Sequence, residues 1–175
     1  MIHDSEIKTS LIENSKAIVY DKDTMTWDIL GPSLLSIDQK AFPRTHTKRV
    51  DLLQQWLEDS QNTVILLTLD THVVGFTIAR PVGSIWPERA HELGTYNISL
   101  TGVDPEYQGN GLVSKLMYEL EQQLKSKGAE FVERNASVDN GYAGSIERHY
   151  GNRIVEQHEP RITHFGNQQF FRIKL

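Results

Sequence analysis

The most informative segment of the sequence is Val103-Asp104-Pro105-Glu106-Tyr107-Gln108-Gly109-Asn110-Gly111-Leu112. It joins a predicted strand over residues 95–103 to the most regular helix pattern in the chain, over residues 111–127. Backbone N–H groups at the start of a helix have no partner within it, and they lie at the positive end of its dipole. Because glycine lets an anion approach the main chain closely, a strand, a glycine-rich turn and a helix in this order predict a phosphate-binding site.

The rest of the chain predicts a mixed α/β (α+β) fold with helices on the faces of one sheet. Apolar periodicity and turn residues give the order β, α, α, β, β, β, α, β, α, β, β over residues 16–175, which we predict to be a single domain. Residues 1–15 are polar and aperiodic, so we expect a flexible N-terminal arm. Gly31-Pro32 is predicted to interrupt the chain before a helix capped by Ser33, and Thr47 to cap the next helix.

Composition limits the possible function classes. The net charge is −5, which disfavours a nucleic-acid-binding surface. No apolar run approaches the roughly 20 residues of a membrane-spanning helix, and no signal-peptide pattern is visible. The chain has no cysteine, and its seven histidines lack metal-ligand spacing, so we expect no metal. These features favour a cytoplasmic protein.

The identity of the phosphate compound follows in part from which motifs are missing. A dinucleotide fingerprint requires a third glycine, where this chain has Ser114. The Walker A pattern requires a Gly-Lys-Ser/Thr sequence after the turn, and the turn does not contain it. A nucleotide-binding enzyme is therefore the weakest of the alternatives considered.

The turn and its flanks resemble the signature of the GNAT (Gcn5-related N-acetyltransferase) superfamily. Gln108 and Gly111 match its Gln/Arg-x-x-Gly-x-Gly/Ala pattern, and residues 103–107 match its Val-x-Pro-Glu-Tyr lead-in. The last position of the signature is Val113 here, which puts a bulkier side chain near the phosphates but keeps the backbone amide. A hairpin over residues 70–76 is also similar to one in the family.

A second family motif lies at the expected distance along the chain. Asn140 is followed by Ala143 and Gly151 at the family's spacing. The resemblance covers residue 16 to the end. It implies the GNAT fold, with a mixed, mostly antiparallel central sheet, one splayed strand pair and flanking helices.

The resemblance also implies acetyl-coenzyme A as the acyl donor. Its pyrophosphate is expected on the turn, and its pantetheine arm along the end of the fourth strand, where a backbone N–H would polarise the thioester carbonyl. Asn140 and Ala143 are expected on the other side of the coenzyme. The turn and strand positions implied are Leu100, Thr101, Gly102, Val103, Gln108, Gly109, Asn110, Gly111, Leu112, Val113 and Ser114.

One catalytic position departs from the family. The tyrosine that usually protonates the leaving thiolate is replaced by Glu147, a poorer donor at neutral pH unless burial raises its pKa. Tyr150 is the nearest alternative acid on the same predicted helix, and Tyr142 a more remote one. An amine of pKa near 10 must also lose a proton before it attacks. Base candidates at and before the fourth strand are Glu92, Tyr96 and Asn97 (the last only by holding water), and Glu133 lies on the fifth strand.

The sequence thus predicts an N-acetyltransferase that transfers acetyl from acetyl-CoA to a primary amine by direct attack in a ternary complex. Transfer of another acyl group and a non-catalytic acyl-CoA-binding or regulatory module are the alternatives. The amine is not identified, and family members include homodimers. Candidate substrate-contacting residues lie in two loops: Phe42, Arg44, His46, Trp86, Glu88 and Arg89.

Overall fold

The computed structural model describes residues 9–43 and 49–175. Residues 9–14 are helical, and three short 3₁₀ turns lie at Pro87–Arg89, Pro105–Tyr107 and Gly151–Arg153. The strands are β1 (Ser15–Val19), β2 (Thr63–Leu69), β3 (His72–Pro81), β4 (Thr95–Val103), β5 (Phe131–Ser137), β6 (Ile154–Gln157), β7 (Arg161–Thr163) and β8 (Gly166–Lys174). The helices are α1 (Trp27–Ala41), α2 (Val50–Glu58), α3 (Val82–Ile85), α4 (Leu112–Ser126) and α5 (Tyr142–Tyr150).

The strands form one mixed sheet in the order β1-β2-β3-β4-β5-β8-β6, and β7 pairs with β8. The β1–β2, β2–β3, β5–β8, β6–β8 and β7–β8 pairs are antiparallel. β4 and β5 run parallel, and their register joins Thr95–Asn97 to Phe131–Glu133 at the start of each strand. The predicted mixed, mostly antiparallel sheet is confirmed.

The chain folds as two compact units. The described residues of the first come from Met1–Ala79 and Leu100–Gln123, and those of the second from Arg80–Ser99 and Leu124–Leu175. In the first unit, α1 and α2 bury their apolar sides against β2 and β3, with Leu34, Leu53 and Phe76 wholly inaccessible to solvent. This packing supplies most of the stability of two helices that would be marginal alone.

The predicted break at Gly31-Pro32 is wrong, because α1 runs through both residues. A Cβ added to Gly31 would lie 2.7 Å from the Trp27 indole, so glycine here makes room for a ring inside the helix. Pro32 removes one backbone donor, but Leu30 and Leu34 on either side of it are buried in the core. Burial of these leucines outweighs the local cost of the proline.

The predictions for the N-terminal and C-terminal segments have different outcomes. The predicted arm covers residues 1–15, of which 1–8 lie outside the described part and 9–14 are helical. Thr47, the predicted cap of the second helix, also lies outside the described part. The predicted closing pair of strands is present as β6 and β8, with β7 as an additional short strand. In the part of the chain that is described, no helix has both the length and the apolar character needed to cross a bilayer.

Candidate active site

The turn between β4 and α4, residues 104–111, has the backbone shape that the sequence predicts. Gly109 and Gly111 have φ angles of 77° and 78°, in the left-handed region that side-chain-bearing residues avoid. A Cβ at Gly109 would meet no atom within 4 Å, so the backbone angle and not crowding requires glycine there. The two glycines bend the chain sharply into the first turn of α4.

The amide groups of this turn lack protein acceptors. Within the described ranges, no oxygen accepts a hydrogen bond from the backbone N–H groups of residues 109–113. The next amide, of Ser114, donates to the carbonyl oxygen of Gly111 at 3.1 Å. Five consecutive amides at the positive end of a helix of 15 residues therefore stay open for an anion. We call residues 109–113 the open turn.

Polar side chains hold the open turn in shape. The Gln108 side-chain amide donates to the carbonyl oxygen of Val103 at 2.8 Å, which ties the turn to the end of β4. The Asn110 side-chain amide donates to the carbonyl oxygens of Tyr107 at 3.0 Å and Gln108 at 3.3 Å. These two side chains, of which Gln108 belongs to the signature, shape the backbone and leave its amides available to a ligand.

An ion pair fixes the start of the same segment. The Lys40 ammonium lies 2.7 Å from the Asp104 carboxylate, which also accepts the Glu106 N–H at 3.2 Å. Burial alone would raise the pKa of the Asp104 carboxyl, but the hydrogen bonds from Lys40 and the Glu106 N–H, together with the charge of Lys40, outweigh it and hold the pKa below its ordinary value. Asp104 is therefore an ionised anchor of the turn at neutral pH.

The end of β4 is built for close backbone packing. The Thr77 hydroxyl donates to the carbonyl oxygen of Leu100 at 3.2 Å and lies 2.8 Å from the Thr101 hydroxyl. A Cβ at Gly75 would lie 3.0 Å from the carbonyl oxygen of Gly102, so β3 and β4 meet where glycine leaves room. The candidate coenzyme residues 100–103 and 108–114 thus lie together in the first unit.

One contact of the turn was not predicted from the sequence. The Lys115 ammonium, one turn into α4, donates to the carbonyl oxygens of Ile12 and Ser15 and to the Ser15 hydroxyl. A Cβ at Gly111 would lie 3.6 Å from the Ile12 side chain. The helical residues 9–14 therefore end beside the open turn, and Lys115 holds them there.

The second motif lies in the second unit, at the start of α5. The Asn140 side-chain oxygen accepts the Tyr142 N–H at 3.0 Å, and Gly141 has a φ of 77°. Ala143 is buried on the inner face of α5. Asn140 thus acts as a cap for the first turn of this helix in the described structure.

The two candidate acids on α5 have opposite environments. Glu147 is exposed, and its carboxylate accepts a hydrogen bond from the Gln157 side-chain amide. Tyr150 is only 5% exposed, with the Arg153 guanidinium 5.2 Å from its ring centre. The position that the family fills with a tyrosine is therefore exposed to solvent here, whereas the nearby tyrosine is buried.

Glu92 and Glu133 belong to a charged cluster with Arg89 and Arg172. Arg89 donates to Glu92 at 2.6 Å and to Glu133 at 2.7 Å. Arg172 donates to the same two carboxylates at 3.0 Å and 3.2 Å. Hydrogen bonds from Arg89 outweigh burial and, with Arg172, lower the pKa of Glu92 to about 2. Glu92 and Glu133 therefore serve to bind the two guanidinium groups, and the low pKa of Glu92 argues against it as a base.

The remaining base candidates on β4 are also constrained. Burial raises the pKa of the Tyr96 phenol, so Tyr96 is protonated at neutral pH and can donate but not accept a proton. The Asn97 side-chain oxygen accepts a hydrogen bond from the Ser99 hydroxyl at 3.0 Å. Across the described residues, no group of three or more histidine, aspartate or glutamate side chains could hold a metal ion.

The candidate substrate-contacting residues of the two loops have different surroundings. Phe42 packs against the apolar core of the first unit, and Arg44 and His46 lie outside the described residues. In the second unit, Trp86 is 37% exposed, and Arg89 of the charged cluster lies 5.5 Å from its ring centre. Glu88 is exposed in the same loop. Arg89 is therefore held by carboxylates of this chain, whereas Trp86 retains an accessible ring face.

Solved structures of acetyltransferases share this fold. The ribosomal-protein-S18-alanine N-acetyltransferase from Escherichia coli matches with a TM-score of 0.63 at 19% identity, over 92% of each chain. Aminoglycoside 6'-acetyltransferase type Ii matches with a TM-score of 0.70 at 13% identity, over 91% of this chain and 96% of that one. A GNAT family acetyltransferase from Elizabethkingia anophelis with acetyl-CoA bound matches with a TM-score of 0.58 at 15% identity, over 93% and 99%. At these identities the likeness shows the fold alone.

The family assignment comes from the sequence model. The model of the acetyltransferase (GNAT) family matches residues 31–147, which include all of β2, β3, β4, α4 and β5. This match covers well over half of the chain and contains the open turn. The chain therefore belongs to the GNAT family of acetyltransferases.

Proposed function

We propose that this chain transfers the acetyl group of acetyl-CoA to a primary amine by direct attack in a ternary complex. The observation that carries the proposal is the open turn, whose five amides have no acceptor in the described residues and suit a pyrophosphate. Family membership supports acetyl transfer, and a neighbour of the same fold is described with acetyl-CoA bound.

The coenzyme would occupy the first unit through main-chain groups. Its pyrophosphate would accept hydrogen bonds from residues 109–113, and Gln108 would keep the turn attached to β4. The pantetheine amides would pair with the backbone of Leu100–Val103 in the manner of a strand. Asn140 and Ala143 are proposed as coenzyme-contacting residues because they match the family's second motif.

The reaction requires a neutral amine and a leaving thiolate. The amine nitrogen forms a bond to the thioester carbon, the C–S bond breaks, and the sulfur takes up a proton while the nitrogen loses one. A backbone N–H near the end of β4 would stabilise the negative charge that develops on the carbonyl oxygen. No cysteine is available for a covalent intermediate, which agrees with direct transfer.

The proton donor is proposed to be a tyrosine. Tyr150 is the first candidate because it is buried on α5, and Tyr96 the second because its phenol keeps its proton at neutral pH. Glu147 is exposed and Glu92 is ionised, so neither suits the role. Both oxygens of Glu92 accept hydrogen bonds from guanidinium groups, so Glu92 is not proposed as the base. The amine is proposed to lose its proton to hydroxide or buffer base in the solvent and to attack as the neutral form.

The first experiment separates coenzyme binding from catalysis. Calorimetry with acetyl-CoA should show binding in the micromolar range typical of enzyme substrates. A panel of amines, from peptide N-termini to polyamines and aminoglycosides, should then produce free thiol with at least one member. Binding without thiol release from any acyl-CoA tested would favour the non-catalytic module, and absence of binding would refute both functions.

The second experiment identifies the donor. Tyr150→Phe is expected to lower kcat about 10² fold with little change in the KM for acetyl-CoA, because it removes only a transferable proton. Tyr118→Phe is the matched control, since Tyr118 is a tyrosine of α4 with 67% exposure. If Tyr96→Phe lowers kcat and Tyr150→Phe does not, the donor is Tyr96.

A further inference from the structure

We propose that Asn110 in the open turn deamidates spontaneously in the free protein, and that bound acetyl-CoA protects it. The protection rests on the proposed coenzyme-binding function, whereas the deamidation rests on the local structure alone. The product would carry a negative charge at the point where the pyrophosphate binds. Asn110 would thus be a modification site that closes the coenzyme site in protein left without its ligand.

The chemistry needs an asparagine followed by a residue whose backbone nitrogen can reach the side chain. That nitrogen forms a bond to the side-chain carbonyl carbon, the side-chain nitrogen leaves as ammonia, and a cyclic imide results. Water then opens the ring to aspartate or isoaspartate, so the net change is uptake of water and loss of ammonia. Glycine in the second position favours the step because it has no side chain to obstruct the approach and few backbone restrictions.

The chain contains two Asn-Gly pairs, and their glycine nitrogens differ. The Gly141 N–H donates to the carbonyl oxygen of Val138 at 3.0 Å, which holds its nitrogen in the backbone turn. The Gly111 N–H has no acceptor in the residues that the structure covers. The attacking atom is therefore available after Asn110 and engaged after Asn140.

The side-chain carbonyl groups of the two asparagines also differ, with that of Asn140 engaged and that of Asn110 available. The Asn140 oxygen accepts the Tyr142 N–H at 3.0 Å, so its side-chain carbonyl is engaged in the first turn of α5. The Asn110 side chain uses its nitrogen to donate to two carbonyl oxygens of the turn. Its oxygen accepts no hydrogen bond from the described protein groups, so the carbonyl group remains accessible.

Coenzyme binding would give the Gly111 backbone N–H a hydrogen-bond acceptor. A pyrophosphate on the open turn would accept a hydrogen bond from Gly111 and hold its N–H away from the Asn110 side chain. Deamidation would in turn oppose binding, because a carboxylate at position 110 lies beside the phosphate and repels it. Each event therefore disfavours the other.

Ageing of the wild-type protein tests the modification. The protein is incubated at mildly alkaline pH with and without saturating acetyl-CoA, and tryptic peptides are analysed by mass spectrometry with isoaspartate detection. We expect conversion at Asn110, little conversion at Asn140, and slower conversion at Asn110 when acetyl-CoA is present. Equal conversion at both asparagines, or none at Asn110, would overturn the proposal.

Variants test the consequence for binding. Asn110→Asp should bind acetyl-CoA about tenfold more weakly than Asn110→Ala, since both lose the amide donor but only the aspartate adds charge. Asn152→Asp, at an exposed asparagine of a 3₁₀ turn, is the charge-matched control and should bind like the wild type. Equal affinities of Asn110→Asp and Asn110→Ala would refute the inhibitory effect of the modification.

The outcomes for the two proposals are distinguishable. If fresh wild-type protein does not bind acetyl-CoA, the proposed function fails whatever happens on ageing. If fresh protein binds acetyl-CoA but acetyl-CoA does not slow conversion at Asn110, the proposed function stands and the protection is refuted.

Discussion

The charged cluster of the second unit and the open turn of the first differ in whether their polar groups have hydrogen-bond partners within the protein. In the cluster, both oxygens of Glu92 and both of Glu133 accept hydrogen bonds from guanidinium groups at 2.6–3.2 Å. In the open turn, five consecutive backbone amides have no acceptor among the described residues. Glu133 is nearly inaccessible to solvent, whereas Gly109 and Gly111 are exposed.

The difference separates structural from functional polar groups. Two carboxylates and two guanidinium groups balance each other's charge, so the cluster can be buried in part at little electrostatic cost. An amide without an acceptor gains a hydrogen bond only when a ligand supplies one, so the open turn is suited to binding.

The largest expected effect comes from breaking the cluster. Glu133→Ala should lower the free energy of unfolding by about 3 kcal/mol, because it leaves the Arg89 and Arg172 guanidinium groups short of a buried partner. Urea unfolding followed by circular dichroism measures the change. Glu133→Gln keeps the shape and should cost less, and a loss below about 1 kcal/mol for the alanine variant would contradict the structural role.

The open turn is tested by a pair of glycine substitutions at the two ends of α4. Gly109 and Gly128 have φ angles of 77° and 79°, and a Cβ at either would meet nothing within 4 Å. Each alanine should therefore cost about 1 kcal/mol of stability. Only Gly109→Ala should also weaken acetyl-CoA binding, by about tenfold in calorimetry. Equal loss of affinity in both variants would mean that the effect is one of stability.

The pH dependence of stability tests the state of Glu92. Its pKa is about 2 in the folded protein and near 4.5 when unperturbed, so the unfolded state binds the proton more tightly. The stabilisation from Glu92 is present above pH 4.5 and is lost as the pH falls towards 2. Glu92→Gln should therefore lose less stability than the wild type between pH 6 and pH 3, by about 1 kcal/mol in urea titrations. Parallel profiles would show that Glu92 is not perturbed.

The smallest effect is expected where an ion pair is exposed. Glu156 lies 2.7 Å from His158, with side chains 49% and 51% exposed. Glu156→Ala should change the unfolding free energy by less than about 0.5 kcal/mol, because water already solvates both groups. A loss comparable to that of Glu133→Ala would mean that burial does not set the strength of these pairs.

Local sequence signals predicted much of the fold. The bounds of β4 agree with the predicted strand over residues 95–103, because it is a β-rich run between clear turn residues. α4 agrees within a residue at each end, because its leucines repeat and Gly128 ends it. The break at Gly31-Pro32 failed because a ring four residues earlier packs on Gly31, which local propensity does not register.

The site was predictable where chemistry is local and not where it is distant. The open turn follows from residues adjacent in sequence, so the signature identified it. The pKa of Glu92 depends first on Arg89, which is three residues away, but also on Arg172, which is 80 residues away and which no local pattern connects to Glu92. The family resemblance named position 147, and helical spacing added Tyr150. Only the structure shows that the first is exposed and the second buried.

The link from Lys115 to Ser15 has a consequence for the order of events during synthesis. The two residues are separated by 100 positions, so residues 12–15 leave the ribosome long before their anchor exists. Closing so long a loop is entropically costly and becomes favourable only when other contacts have formed. Residues 12–15 are therefore among the last parts of the fold to reach their place beside the turn.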